Sequence, residues 1–537
     1  MKKVKLIISN LIQRKTVLFF LLFLLSIGLF ILSQPNPLNF KGIWIFAWFI
    51  LIPILIIIDR ISPKKSFLYG FIYGIIACIL YSFWLVNYYV LSLILVALYE
   101  GVLYGIVFYL LKKSFIVFNK YSFIVQCLIW CSFEYFRTIG FLGVNYGVIG
   151  YSQWSNLILL QSADLFGIQG INFIIIFPSC YLVSLLKSHN IKKFIKIHRL
   201  SLIGYVSSLL FLIVYGVVKI NKTIQFDIQK KICLIQNNID THIYYKNEKD
   251  EILDYYKQLL NTKLKDVSNI DLIVFPEEAV RPRILLNKED TVTQKMYQDI
   301  IDYLNFFYSL KVPIVFGSTS LEYDSARKGD FTYRAYNISC FLKNKIQTIP
   351  PEIEVYKKRH LVPIIEKIPF VNIYQKRFNA FSDCLSSGND PVIFNLDEVS
   401  FCTPICFEES FGYDVRSFMK NNPSFILSIS SDLWSKSLVC QYQHLAMEVF
   451  RAVENRIPFL RSSVTGQTVY INPKGICEQT VEPFTSSVLI CDVPLSVNPR
   501  KTIYSYIGDS LGVLWLILCV LLFIIKYIKK YRRKEVL

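Results

Sequence analysis

Charge is scarce in this chain: only 18% of its 537 residues are Asp, Glu, Lys or Arg, while 53% are hydrophobic. That balance excludes a disordered or fibrous protein and is too apolar for an ordinary soluble one. Histidine occurs five times, without ligand spacing, so no metal site is expected. Gly-rich phosphate loops of the Walker or Rossmann type are missing, as are internal repeats and low-complexity tracts. No cofactor is implied. The 13 cysteines contain no Cys-x-x-Cys and no regular framework, so most are expected as buried thiols, with a few disulfides left open.

What the chain has instead is long apolar runs. A helix needs roughly 20 apolar residues to cross the hydrocarbon layer. Eight candidates lie at about 16–33, 42–58, 66–86, 89–112, 121–139, 169–187, 199–219 and 506–526. This divides the chain into a seven-span region (1–219), a large polar domain (220–503) and a last span with a basic tail (504–537). The first run follows a basic stretch, but Leu32-Ser33-Gln34-Pro35 is no small-x-small cleavage site, so it is read as retained.

Basic residues mark every second connection: Lys2, Lys3, Lys5, Arg14 and Lys15; Arg60, Lys64 and Lys65; Lys112, Lys113 and Lys120; Lys187, Lys192, Lys193, Lys196 and Arg199; and the tail Lys526, Lys529, Lys530, Arg532, Arg533 and Lys534. By the positive-inside rule these segments are cytoplasmic and the large domain is outside. They hold 22 of the 58 basic residues but only Asp59 and Glu535 of the 39 acidic ones, which leaves the rest balanced to within one charge. The net charge of +19 is therefore a topology signal, and nucleic acid is not implied as a partner. Inside the spans, Glu134 and Arg137 are three apart and are expected to pair, with lipid headgroup contact as the alternative. Glu100 has no local partner.

The polar domain alternates β-rich runs at 232–238, 272–278, 312–318, 338–342, 399–409, 424–430, 458–464 and 487–493 with helical patterns at 249–265, 291–309 and 438–456. Alternation of this kind predicts α/β layers. Three places could carry chemistry: Glu277 after Pro276, the basic run Tyr356–Pro363, and Cys406 where an apolar strand meets a turn. Taken singly, the first two read as solvated surface and the third as an inert buried thiol.

Together they resemble the nitrilase superfamily, in which a Glu, a Lys and a Cys converge from three strand ends. With the spans included, the chain is similar to the apolipoprotein N-acyltransferases. The matching text is VFPEEA at 274–279, Tyr336-Asn337, Tyr356-x-Lys358-x-His360-Leu-Val-Pro-x-x-Glu366, Ile405-Cys406-x-Glu408, Ser430-x-Asp432-x-Trp434 and Gln443-His444. It continues with Arg451-Ala452-x-Glu454-x-Arg456-x-Pro458-x-Leu460-Arg461 and Gly466. In the membrane part, Gly150-Tyr151-Ser152-Gln153 and Asp164-x-x-Gly167-x-x-Gly170 fit as well. The loops depart from the pattern: Ile364-Ile365 replace Phe-Gly, Phe407 a Tyr, Ser431 and Val464 an Asn each, Ser435-Lys436 Phe-Gly, and Asn145-Tyr146 Pro-Trp.

The resemblance implies a multi-pass α-helical bundle of eight spans joined to an α-β-β-α sandwich. It implies Glu277 as base, Lys358 as oxyanion partner and Cys406 as nucleophile, with Glu366 and Glu408 orienting them and Trp434 and Phe407 in support. The reaction it implies is ping-pong. Cys406 takes an acyl group from a phospholipid as a thioester and passes it to the N-terminal amine of a diacylated apolipoprotein. The protein is expected as a monomer in a bacterial inner membrane, with its catalytic domain on the periplasmic side. A membrane-tethered amidase with the same triad, and a non-catalytic transporter or binding protein, are the rival readings.

Overall fold

The apolar runs of the first 221 residues form helices whose limits follow local chemistry. A computed structural model describes residues 2–239, 249–264, 269–285, 292–323, 333–343, 353–363, 365–367 and 385–535. Ile364, Cys384 and the terminal positions 265 and 291 of two predicted helices lie outside them. Two compact units result, Met1–Asn221 with Ile507–Leu537, and Lys222–Tyr506.

The first unit contains α1 (Lys2–Ser33), α2 (Pro63–Tyr81), α3 (Val90–Phe118), α4 (Ser122–Phe136), α5 (Ala163–Lys187), α6 (Ile191–Asn221) and a C-terminal helix, Ser510–Glu535. Among the described residues, six stretches are long and apolar enough to cross a membrane, one of which, Val90–Phe136, contains both α3 and α4. Ser62 caps α2 by accepting from the Lys65 N–H, and Pro63 takes the first helical position, where no N–H is needed. The expected run at 42–58 is interrupted: a 3₁₀ turn, Trp44–Phe49, precedes a ten-residue helix, Leu51–Arg60. Pro53 sits in the first turn of that helix, where its missing N–H costs nothing. Non-helical backbone at Gly167 and His198 kinks α5 and α6, each just before an expected span.

Helices α2 and α3 meet through glycines. A Cβ on Gly74 would lie 2.6 Å from the Glu100 carbonyl oxygen, and one on Gly101 would lie 2.9 Å from the Ile75 side chain. With Gly70 and Gly105 these residues form a small-xxx-small seam on each helix. Near it the expected Glu134–Arg137 pair is not made. Arg137 ends α4 and turns its guanidinium to Glu100 Oε1 on α3, 2.8 Å away, while Glu134 accepts from Trp130 Nε1 one turn back at 2.9 Å. Leaving the helix frees Arg137 to reach a partner 37 residues away.

The second unit is built on two mixed sheets. The first holds β1 (Ile228–Gln236), β2 (Leu272–Val274), β3 (Val280–Leu285), β4 (Ile314–Tyr323), β5 (Tyr333–Leu342) and β6 (Ile353–Lys357). The second holds β7 (Ile393–Leu396), β8 (Val399–Cys402), β9 (Phe425–Ser430), β10 (Phe459–Ser463), β11 (Val469–Ile471) and β12 (Cys477–Thr480). The last strand, β13 (Ser487–Leu495), returns to pair antiparallel with β1, giving the orders β13-β1-β2-β4-β5-β6 and β12-β11-β10-β9-β8-β7. Strands β1, β2 and β4 run parallel, as do β8, β9 and β10.

Period-two alternation sorts the side chains. Cys233, Ile235, Ile273, Phe275 and Phe316 pack against α7 (Lys249–Lys263) and α8 (Val292–Ser309) through Ile252, Tyr256, Tyr303 and Phe307. The opposite face meets the other sheet, where Phe341 contacts Phe394 and Phe401 at ring separations of 5.5 and 5.2 Å. Ser462 of β10 donates to the Ile235 carbonyl at 2.7 Å. The helix α9 (Leu438–Asn455) lies against the second sheet. The unit is thus an α-β-β-α sandwich.

Candidate active site

Glu277 follows β2 in a turn pressed onto β4. A Cβ on Gly317 would lie 2.6 Å from the Glu277 Cα, so only glycine lets the strand approach, and the Gly317 N–H donates to the Pro276 carbonyl at 3.2 Å. The carboxylate is 6% exposed. Asn337 on β5 fixes it, donating to Oε1 at 2.7 Å and also to Glu366 Oε1 at 3.3 Å.

Lys358 begins the segment after β6. Its N–H donates to the Asn337 carbonyl and its own carbonyl accepts from Gly388, both at 2.8 Å. The ammonium, 1% exposed, contacts Glu366 Oε1 at 2.8 Å and Glu277 Oε1 at 3.6 Å. Glu366 is itself held by the Val362 N–H, 2.7 Å from Oε2. The structure therefore brings Glu277, Lys358 and Glu366 together.

Cys406 opens a 3₁₀ turn after β8, in left-handed backbone with φ 50°. Its sulfur lies 3.9 Å from the Ser431 carbonyl, within reach of the Ser430 hydroxyl, and in the electrostatic field of Lys358 and Glu277. Non-glycine residues rarely hold this conformation, and such strain collects at functional positions.

Glu408 ties the cysteine turn to the lysine segment. Oε1 accepts from the backbone of Arg359 and His360 at 2.7 and 3.0 Å, Oε2 accepts from the Ile405 N–H at 2.8 Å, and the Tyr356 hydroxyl donates at 2.8 Å. All four donors lie beside the two reactive residues. Phe407 is half-buried and packs on His360 and Phe411 at 5.5 and 4.9 Å. Trp434 is half-buried in the turn three residues after Ser431.

Protonation follows from burial and neighbours. Burial pushes Glu277 up to about 7, with Glu366 adding to and Lys358 opposing the rise. Burial also works against a charged Lys358, but Glu366, Glu277 and the Cys406 sulfur outweigh it and hold the ammonium protonated. Burial and Glu277 push the Cys406 thiol well up, against Lys358 and Ser430. At neutral pH the resting proton sits on sulfur, and a carboxylate whose basicity lies near the working pH stands by to receive it.

Two supports were not legible in the sequence. Arg461, fully buried, donates from Nη2 to Ser430 Oγ and Asp432 Oδ2, each at 2.7 Å, and from Nη1 to Glu448 at 2.6 Å. With one lone pair so occupied, the Ser430 hydroxyl is free to donate to the Cys406 sulfur. Glu409, His444 and Glu448 are close enough to share a cation. The Arg461 guanidinium already supplies one, with Nε 3.3 Å from Glu409. Burial pushes Glu409 up to about 8 and Glu448 to about 7; it also opposes charge on Asp432, but Arg461 and His444 hold that group below the usual carboxylate range. The only sequence signal for these roles was the resemblance, which marked Ser430, Asp432, His444 and Arg461 without a function. Among the described residues, twelve cysteines are free thiols.

Residues 27–181 match the family described as apolipoprotein N-acyltransferase N-terminal domain, and residues 231–498 match carbon-nitrogen hydrolase. The chain is 34% identical to apolipoprotein N-acyltransferase 1 of Treponema denticola, over 96% of this chain and 98% of that one. It is 31% identical to apolipoprotein N-acyltransferase 1 of Treponema pallidum, over 92% and 93%. Among solved structures, Saccharomyces cerevisiae Nit3, a member of branch 10 of the nitrilase superfamily, aligns with a TM-score of 0.37 at 15% identity, over 53% of this chain and 96% of that one.

Proposed function

The chain belongs to the apolipoprotein N-acyltransferase family, and from that premise we propose that it N-acylates lipoproteins through an acyl-enzyme on Cys406. The observation that carries this reading is the convergence of Glu277, Lys358 and Cys406 at the ends of three chain segments, buried and electrostatically coupled. As the sulfur attacks the ester carbonyl of a phospholipid, its proton passes to Glu277 and the carbonyl oxygen becomes an oxyanion beside Lys358. The C–O bond then breaks, Glu277 protonates the departing lysophospholipid, and a thioester remains. The N-terminal amine of the diacylated apolipoprotein attacks that thioester. Glu277 takes the amine proton, the C–S bond breaks, and the sulfur recovers a proton as the amide leaves. Preorganised charge at a buried oxyanion position is worth about 2.7–4 kcal/mol of barrier.

Eight spans complete the reading. The Trp44–Arg60 segment crosses as a broken helix, which keeps each basic connection on the cytoplasmic side of an inner membrane and the Lys222–Tyr506 unit on the periplasmic side. The enzyme acts as a monomer, and a bilayer-borne site keeps water from the thioester. The test is to incubate purified protein with acyl-labelled phospholipid and look for a hydroxylamine-sensitive label. Label on the wild type but not on Cys406→Ala is the expected result; equal label on both overturns the acyl-enzyme. Adding a diacylated lipopeptide then separates transfer to an amine from release of free fatty acid, the outcome a tethered hydrolase would give.

A further inference from the structure

Glu409 stands three residues after Cys406 in the same 3₁₀ turn and meets Glu448 of α9, and both are fully buried. Their carboxyl groups come within hydrogen-bonding reach of each other. The cation they share is Arg461 of β10, with Nε 3.3 Å from Glu409 Oε1 and Nη1 2.6 Å from Glu448 Oε1. The same guanidinium gives Nη2 to Ser430 and Asp432 and is electrostatically coupled to the Cys406 sulfur. His444 of α9 closes the ring, with Nε2 3.0 Å from Glu409 and Nδ1 3.2 Å from Asp432. From β9 the Ser428 hydroxyl also faces Glu409.

Three carboxyl groups thus surround one guanidinium and one imidazole, all of them buried. Glu448 Oε2 accepts no hydrogen bond among the described residues. Two carboxylates in contact cannot both stay ionised in such a place, because like charges sharing a site drive a proton onto one of them. Asp432 is not the holder, since Arg461 and His444 keep it ionised against its burial. Burial raises Glu409 to about 8 and Glu448 to about 7, against the pull of Arg461. We propose that Glu409 and Glu448 are a proton-sharing pair that positions the nucleophile: the proton between them cancels one buried negative charge and leaves Arg461 to orient Ser430 and Asp432 beside Cys406. Both are positioning residues, acting on the sulfur through Arg461. Loss of the shared proton places a second full negative charge against the guanidinium, draws it away from Ser430 and makes the thiolate harder to form. This rests on, and deepens, the reading of Cys406 as the nucleophile.

The test follows alkylation of Cys406 by iodoacetamide in the full-length protein in detergent, read by peptide mass spectrometry at pH about 6.5 and about 9, either side of the pair's range. Glu448→Gln keeps the shape of the side chain and offers an N–H that cannot ionise. With a proton on the pair, wild type and variant carry equal charge there at the lower pH, and only the wild type gains one at the higher. The ratio of variant to wild-type rate is expected to rise about tenfold between the two, the effect of one added charge on a nearby thiol. A packing role alone would change the rate by the same factor at both. A constant or falling ratio overturns the proposal. Glu409→Gln is the reciprocal variant, with the same expectation, and decides if Glu448→Gln does not fold. Infrared difference spectra of the wild type against the folded variant at the lower pH should show a protonated carboxyl, and its absence also overturns the pair. Alkylation uses no lipid, so a missing acyl label on Cys406 would sink the transfer reaction and leave this result readable.

Discussion

The Lys358 ammonium sits closer to Glu366 than to Glu277, 2.8 against 3.6 Å. Glu366 thus serves as the resting counter-ion of the lysine and leaves Glu277 the less neutralised carboxylate, with a proton affinity near neutrality. Thioester formation requires Glu277 unprotonated. The acyl-transfer rate, as kcat/KM, should therefore fall as pH drops through about 7, tenfold per pH unit below it. A flat profile from pH 5 to 8 would show that another group is the base.

Glu366→Gln should move that acid limb. Removing a negative neighbour lowers the Glu277 proton affinity, and it also releases the Lys358 charge toward Glu277. The limb is expected to shift to lower pH, with a smaller kcat because a weaker base is left. A shift to higher pH would contradict the electrostatic assignment.

Ser430→Ala removes a hydroxyl that Arg461 has already turned toward donating to sulfur. The Cys406 thiolate then loses a charge-assisted bond, worth about 1.5 kcal/mol or more. Iodoacetamide should alkylate Cys406 roughly tenfold more slowly at a fixed neutral pH, while the melting temperature changes little. Unchanged alkylation would reduce Ser430 to packing.

Glu408→Ala would strand three backbone N–H groups and the Tyr356 hydroxyl in a fully buried place. Stability is expected to fall by roughly 3 kcal/mol or more, measured as the loss in melting temperature. A loss of activity with the melting temperature intact would instead assign Glu408 a direct part in the chemistry.

Gly317→Ala tests the close approach of β4 to the Glu277 turn. The added carbon would stand 2.6 Å from the Glu277 Cα, so the turn must move and the base moves with it. A displacement of about 1 Å at a reacting group can cost on the order of 10²-fold in rate. Activity should fall at least tenfold, and wild-type activity would show that the turn adapts.

All eight strands expected from β-rich runs are present in the structure, seven of them through stretches of mostly buried residues and β13 through the alternate buried positions Cys491, Val493 and Leu495. The five that were not expected, β3, β6, β7, β11 and β12, are three to six residues long, too short to show a period. VRPRIL in β3 and CEQT in β12 carry too little apolar signal to be told from loop. The reactive residues were legible because each stands at the end of a recognisable run. Their partners were not, because Asn337 is 60 residues from Glu277 and Tyr356 is 52 from Glu408. Local spacing misled at Glu134 and Arg137, since helical neighbours pair only while both remain in the helix. The change from 3₁₀ to α winding at Ile50 was equally hidden, because hydropathy does not report how a helix is wound.

Where Gly74 meets the Glu100 carbonyl and Gly70 the Tyr104 carbonyl, backbone stands against backbone with almost no side chain between. Such a contact has no rotamers to exchange, so α2 and α3 cannot slide past one another in small steps as helices packed through leucines do. The freedom left to them is scissoring about a fixed pivot. A pair of shears moves little at its rivet and most at its tips, so the end that carries Pro63 and Phe118, where α3 runs on farther from the glycines than it does toward Val90, would swing widest while the glycine crossing stayed still.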